Sequence, residues 1–171
     1  YNNDDVRDRF LLNGSVKYSF TDWLSLELRG GADMYTTNRD EKMWSKGPIK
    51  PNGSYSVHKD VFSETNLSFL FTAGKDEVLG DFGFHGTFGG NLMSRDFSSV
   101  GVTIGELAVP DLFSVNNSTS NPALDENINK HKINSLYGTF QVNYGGFVYL
   151  DLTGRNDWSS TLSKELSLIH I

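Results

Sequence analysis

Cysteine is absent from the 171 residues, so the chain can form no disulfide, no thiolate metal site and no cysteine nucleophile. Apolar runs are short, and none approaches the ~18 residues of a membrane helix. Basic side chains are outnumbered, 15 against 21, and the net charge of -6 argues against a nucleic-acid partner, because phosphate binding needs a basic surface. Only 37% of the residues are hydrophobic, a small share for a large buried core. The four prolines, Pro48, Pro51, Pro110 and Pro122, all fall in polar stretches. Tyr1-Asn2-Asn3-Asp4-Asp5 is polar and shows no basic-then-apolar leader, so the chain is expected to be an internal piece of something longer.

What remains is alternation. Lys132 to Ser160 reads as a β-hairpin closed by Gly145-Gly146, residues that tolerate the positive φ of a tight reversal. Leu136, Gly138, Phe140, Val142 and Tyr144 share one face of the first arm, and Ser135, Tyr137, Thr139, Gln141 and Asn143 share the other. In the second arm Val148, Leu150, Leu152 and Gly154 oppose Tyr149, Asp151, Thr153, Arg155 and Asp157. A period of two over such a length is strand, not helix. The arms exceed the ~5–6 residues usual in soluble proteins and approach the ~9–11 of a tilted strand crossing a bilayer.

The same unit occurs twice more. Phe10 to Phe20 turns at Thr21-Asp22-Trp23 and returns from Leu24 to Met34, and Leu67 to Ala73 turns within 74–81 and returns from Phe82 to Leu92. The even-numbered face of the first two strands is uncharged from Phe10 to Met34 apart from the turn residue Asp22, whereas the odd-numbered face carries Lys17, Glu27, Arg29 and Asp33. Those charges fit either a hydrated lumen or the solvated face of a sandwich, so alone they do not discriminate.

The connections alternate short (21–23, 74–81, 145–146) and long (about 36–60 and 93–131), and the long ones are polar. An outer-membrane barrel has short periplasmic turns and long extracellular loops. Aromatic residues cluster beside the short turns: Tyr18, Phe20 and Trp23, then Phe82 and Phe84, then Tyr144, Phe147 and Tyr149. Tyr and Trp favour a bilayer interface because the ring is apolar and its polar end stays wet. The expected fold is therefore all-β: an antiparallel up-and-down meander of about six strands, one curved open sheet from a transmembrane barrel.

The sequence carries no recognisable pattern of reaction chemistry, and no enzyme is expected. Asp125-Glu126-Asn127-Ile128-Asn129 has the acidic start of a calcium loop, but Lys130 stands where Gly must turn and Leu136 where the bidentate acid belongs. His58, His85, His131 and His170 show no metal-ligand spacing. Gly83, Gly86 and Gly89 sit within a strand, not at a strand-to-helix turn that cradles phosphate. No metal or cofactor is implied. Candidate contacts are confined to the long loops. Trp44 and Tyr55 would stack on a ligand or pack locally. Leu112 and Phe113, in the apolar stretch Leu107 to Phe113, would meet a partner or fold back. Glu27, Arg29, Asp151, Arg155 and Asp157 are read as lumen-facing or rim charges, with Arg155 and Asp157 anchoring the rim through ion pairs.

Three stretches, LNGSVKYSFTDWLSLELRGG (12–31), LAVPDLFSVNNS (107–118) and YGTFQVNYGGFVYLDLTGRNDWSSTL (137–162), resemble the SusC/RagA type of TonB-linked outer-membrane protein. The run Arg155-Asn156-Asp157-Trp158-Ser159-Ser160-Thr161-Leu162 is the most specific of these, and the resemblance spans about residues 6–162. It implies a piece of a large plugged barrel in a Gram-negative outer membrane. The implied partners are the lipid bilayer, a SusD-like surface lipoprotein, TonB through an N-terminal part not present here, and an imported oligosaccharide or peptide. Residues 1–162 would be barrel wall, and 163–171 an irregular end that departs from the family pattern. Another outer-membrane barrel, porin or adhesin-like, and a soluble all-β carbohydrate-binding module remain open as alternatives.

Overall fold

The computed structural model describes residues 2–160. Six strands follow one another: β1 (Asn2–Thr21), β2 (Leu24–Met43), β3 (Ser54–Leu79), β4 (Phe82–Ile104), β5 (Ala123–Tyr144) and β6 (Val148–Ser159). They pair in nearest-neighbour order in one antiparallel, open sheet, the up-and-down meander expected from the alternation. Among the described residues there is no helix; the absence of a long apolar one says nothing of crossing by strands. The expected 163–171 end, and Thr161-Leu162 of the motif, lie outside the described residues.

The strands are longer than the hydrophobic pattern indicates. β1 to β5 hold 20 to 26 residues each, and the connections expected at 36–60 and 93–131 shrink to 44–53 and 105–122. Apolar–polar alternation marks only a strand with one dry face. Stretches such as Tyr35-Thr36-Thr37-Asn38-Arg39-Asp40 are polar on both faces, yet their backbones still pair. The acidic stretch from Asp125 to Asn129 likewise lies in β5 rather than in a loop. The turn expected within 74–81 is Gly80–Asp81, with Gly80 at φ 62°. The last turn includes Phe147, whose N–H donates to the Tyr144 carbonyl at 3.2 Å. Gly145 (φ 60°) and Gly146 (φ 72°) take the left-handed conformations anticipated for them.

The chain divides into two compact units. The first comprises β1 up to Phe10, Asp33–Ser63 and Asp96–Lys130, and holds both long connections. Its strands are tied across by side chains. Arg9 bonds Asp33 in a two-pronged ion pair (2.8 and 2.6 Å), Arg39 meets Asp5 at 3.2 Å, and Arg7 donates to Thr37 at 2.9 Å while lying over the Tyr35 ring. Tyr35 in turn stacks on Phe62, ring centroids 4.7 Å apart.

The second unit comprises Leu11–Ala32, Glu64–Arg95 and the described chain from His131, and holds the three short turns. Its register is explicit between β5 and β6: Phe140 pairs with Leu152, Val142 with Leu150 and Tyr144 with Val148, alternating with Thr139–Thr153 and Gln141–Asp151. Apolar residues therefore align with apolar ones and polar with polar, as the period of two requires. On the polar face, strand glycines let large side chains lie flat on the backbone. Tyr137 covers Gly89, where a Cβ would come within 2.8 Å of the ring, Asn143 covers Gly83 and His85 covers Gly74.

The apolar face stays open. Leu12, Phe88, Phe140 and Leu150 are 59%, 52%, 46% and 59% exposed, and among the described residues Ile104 and Leu107 alone are buried hydrophobics. A soluble sandwich would bury that face in a second layer.

Candidate functional site

The two long connections are built into one structure by side chains that the sequence holds far apart. Lys46 N–H donates to the Pro51 carbonyl at 2.9 Å and Gly53 N–H to the Lys50 carbonyl at 3.0 Å, which curls 44–53 on itself. Gly53 sits at φ 84°, and a Cβ there would collide with the Met43 carbonyl, so only glycine fits. Its own carbonyl accepts from Leu107 N–H at 3.1 Å, joining the second connection to the first.

Within 105–122 the organising residue is Asn117, buried to 8% exposure. Its Oδ1 accepts from Val109 N–H at 2.9 Å, and its Nδ2 donates to the Val109 and Leu112 carbonyls at 2.8 and 2.7 Å. One side chain thus satisfies three backbone groups that a connection without secondary structure would otherwise leave wet. Leu107 bridges Ser118 and is fully buried, as is Ile104.

Trp44, Tyr55 and Phe113, candidates from separate parts of the sequence, meet here. Phe113 presents its edge to Trp44 (centroids 4.9 Å, planes at 83°) and lies 6.0 Å from Tyr55. The Tyr55 hydroxyl lies by the Asp40 carboxylate. In the same pair of connections Asp111 accepts from the Ser45 amide at 2.7 Å and the Ser45 hydroxyl at 2.8 Å. These donors, the amide first, hold the Asp111 carboxyl below the usual carboxylate range. Leu112 points away from this core and is 53% exposed, with Val109 (54%) and Trp44 (52%) also open. The apolar stretch from Leu107 to Phe113 is therefore split: Leu107 and Phe113 fold back, and Val109 and Leu112 stay outside.

The predicted polar-face charges lie in the second unit and form separate pairs. Arg29 grips Glu27 on its own strand through two bonds of 2.8 Å, Arg155 does the same to Asp157 at 2.9–3.1 Å, and Gln141 donates to Asp151 at 2.6 Å. The Arg155 guanidinium lies over the Tyr137 ring, 5.8 Å from its centre. Exposed pairs of this kind fix side-chain direction more than they add stability. Among the described residues no three His, Asp or Glu side chains gather to hold a metal ion.

Sequence pattern alone does not single out Asp111, Ser45 or Asn117. An Asn-Asn pair in a Ser-rich stretch signals a turn, but its three backbone partners depend on how the loop closes.

No family model matches the sequence, and no curated protein matches it significantly. Solved structures do match. A chain of the RagAB peptide transporter superposes with a TM-score of 0.84 over 96% of this chain at 13% identity. Chains of the RagAB peptide importer in its closed-closed and open-open states give 0.85 and 0.84, over 96% and 97% of this chain, both at 14% identity. The sheet has the fold of a segment of those chains. It spans 19% of the length of each RagAB chain. At such identity the likeness to RagAB is one of fold: the same succession of long antiparallel strands, with no statement about side chains.

Proposed function

We propose that the chain is a wall segment of a SusC/RagA-type, TonB-linked importer in the outer membrane of a Gram-negative cell. The carrying observation is a sheet whose apolar face stays exposed along six strands while the other face is polar and paired, which suits lipid on one side and water on the other. Its fold likeness to RagAB chains supports the same reading.

On this reading the short turns with Tyr18, Phe20, Phe82, Tyr144 and Phe147 lie at the periplasmic interface. There Tyr18–Phe20 and Phe82–Tyr144 pack edge-on or tilted at 4.9 and 4.7 Å. Residues 44–53 and 105–122 are extracellular. Trp44, Tyr55, Leu112 and Phe113 form a contact surface in which Trp44 and Leu112 touch a SusD-like lipoprotein or an incoming oligosaccharide or peptide, and Tyr55 and Phe113 support them. Glu27, Arg29 and Asp151 face the lumen, and Arg155 and Asp157 hold the rim. The action is gated passage, energised by TonB through a part of the protein outside this chain, and no bond of the cargo is made or broken.

Uptake by cells carrying the full-length protein tests this. Fluorescent peptides or oligosaccharides should enter the periplasm only with an energised inner membrane. Cargo entry unaffected by collapse of the proton gradient would overturn the TonB-linked reading, and recovery of the protein as a soluble monomer would overturn the membrane one.

A further inference from the structure

Six arginines lie in the chain, and five of them grip a carboxylate at 2.6–3.2 Å: Arg9 on Asp33, Arg29 on Glu27, Arg39 on Asp5, Arg95 on Glu64 and Arg155 on Asp157. Arg7 is the exception. It shares the polar face of β1 and β2 with the closed pairs Arg9–Asp33 and Arg39–Asp5, yet among the described residues it has no acidic partner. Asp60, two residues from Phe62 on the same face of β3, makes no ion pair with it either.

Arg7 is nevertheless fixed in place. Its Nε donates at 2.9 Å to the hydroxyl of Thr37, a residue only 3% exposed. Its guanidinium lies over the Tyr35 ring, 4.8 Å from the centre, and Tyr35 is itself stacked on Phe62 with planes 15° apart. The hydroxyl and the ring set the direction of the guanidinium without neutralising it. Its terminal nitrogens keep N–H donors that no described residue accepts, and Arg7 as a whole is exposed.

We propose that Arg7 binds a carboxylate of the imported cargo through this free edge of its guanidinium. The inference rests on reading the polar face as the wall of the cargo's path. Arg7 belongs to the first unit, which holds both long connections and is the extracellular side on that reading. A planar guanidinium offers two parallel N–H donors, the spacing a carboxylate accepts. The flanking pairs are closed on themselves, so the uncompensated charge at this place is Arg7's alone and suits one singly charged group. Because the side chain is already held by Thr37 and Tyr35, little of its freedom is left to lose on binding.

The test treats the full-length protein in detergent with phenylglyoxal, which modifies guanidinium groups, and reads each arginine by peptide mass spectrometry. Without ligand Arg7 should react faster than Arg9 and Arg39, whose donors are engaged. A mixed peptide digest should slow Arg7 about tenfold, the scale of a hydrogen bond to a charged group, and the same digest with its carboxyl groups converted to amides should not. Oligogalacturonate and its methyl ester form a second pair, so the acid that protects tells a peptide carboxylate from that of an acidic saccharide. Arg7→Lys keeps the charge without the planar fork, and its affinity for the protecting acid should fall about tenfold. The proposal is overturned if Arg7 reacts as slowly as Arg9 without ligand, since another part of the intact protein then fills it. It is overturned equally if neither acid protects, if the neutral twins protect as well, or if Arg7→Lys binds undiminished. Those results leave the importer reading in place, whereas uptake indifferent to the proton gradient would remove that reading with the protection pattern intact.

Discussion

Asp111 accepts two hydrogen bonds from Ser45, one from its backbone N–H at 2.7 Å and one from its hydroxyl at 2.8 Å, and so clasps together connections 66 residues apart in sequence. Asp111 itself sits at φ 62°, a conformation that Asp and Asn tolerate better than other side chains. The clasp needs the carboxylate ionised. Its pKa is depressed in the folded protein, so the contribution is present above the ordinary carboxylate pKa and is lost as pH falls through the lower folded value. Protection of the Ser45 amide from hydrogen exchange should hold steady from neutral pH to about 4 and drop below it. Asp111→Ala should lose that protection several-fold at neutral pH, and Asp111→Asn less. Unchanged protection in the alanine variant would mean the clasp contributes nothing.

Phe113 and Leu112 are neighbours with opposite duties. Phe113→Ala removes the edge-on partner of Trp44, a loss of about 0.5–1.5 kcal/mol for an aromatic pair. In the full-length protein with every tryptophan except Trp44 replaced by Phe, Trp44 emission should shift to the red. Leu112→Ala should leave emission unchanged, because the side chain is half-exposed, and on the proposed reading should weaken partner or cargo binding instead. A red shift in Leu112→Ala equal to that in Phe113→Ala would contradict this division.

Two left-handed glycines should respond unequally to alanine. Gly146 (φ 72°) has nothing within 4 Å of where an added methyl would sit, so Gly146→Ala carries only the backbone cost of about 1–2 kcal/mol. Gly53 (φ 84°) adds a collision with the Met43 carbonyl and interrupts a loop that donates to Lys50 and accepts from Leu107. Gly53→Ala should therefore lower the urea midpoint in detergent more than Gly146→Ala. The reverse order would be inconsistent with the loop geometry.

Phe140 and Thr139 test the two faces one residue apart. Phe140 pairs with Leu152 and is 46% exposed on the apolar face, while Thr139 pairs with Thr153 and shares a 2.7 Å hydroxyl bond with Thr87 on the polar one. Phe140→Arg should destabilise by about 2–4 kcal/mol if that position lies near the bilayer midplane. Thr139→Arg should cost far less. Equal losses by equilibrium unfolding in lipid would deny the distinction.

The sheet order and the assignment of faces were legible because alternation is local: Phe140, Val142 and Tyr144 declare one side without knowledge of their partners. The strand ends were not. From Tyr35 to Met43, and again from Ala123 to His131, both faces are polar, so the periodic signal vanishes although pairing continues. What holds β1 to β2 there, Arg9 on Asp33 and Arg39 on Asp5, becomes visible only once the register is known. The same holds for the loop cluster. Trp44, Tyr55 and Phe113 were each conspicuous as apolar residues in polar surroundings, but their contact depends on the Gly53–Leu107 and Ser45–Asp111 bonds, which no local pattern encodes. The polar-face charges were legible as residues and not as pairs, since Arg29 and Arg155 each take a partner two residues away on their own strand.

These 171 residues contribute no cysteine, so a full-length protein freed of any cysteine elsewhere accepts single cysteines here without background. A scan from Val148 to Asp157 in the full-length protein, in intact outer membranes, tests the two-faced sheet most directly. Cysteine at 149, 151, 153 and 155 should react with a water-soluble maleimide, while 148, 150, 152 and 154 should stay unlabelled until the bilayer is dissolved in detergent. Reactivity without a period of two, or alternate residues all shielded before and after detergent, would contradict the account.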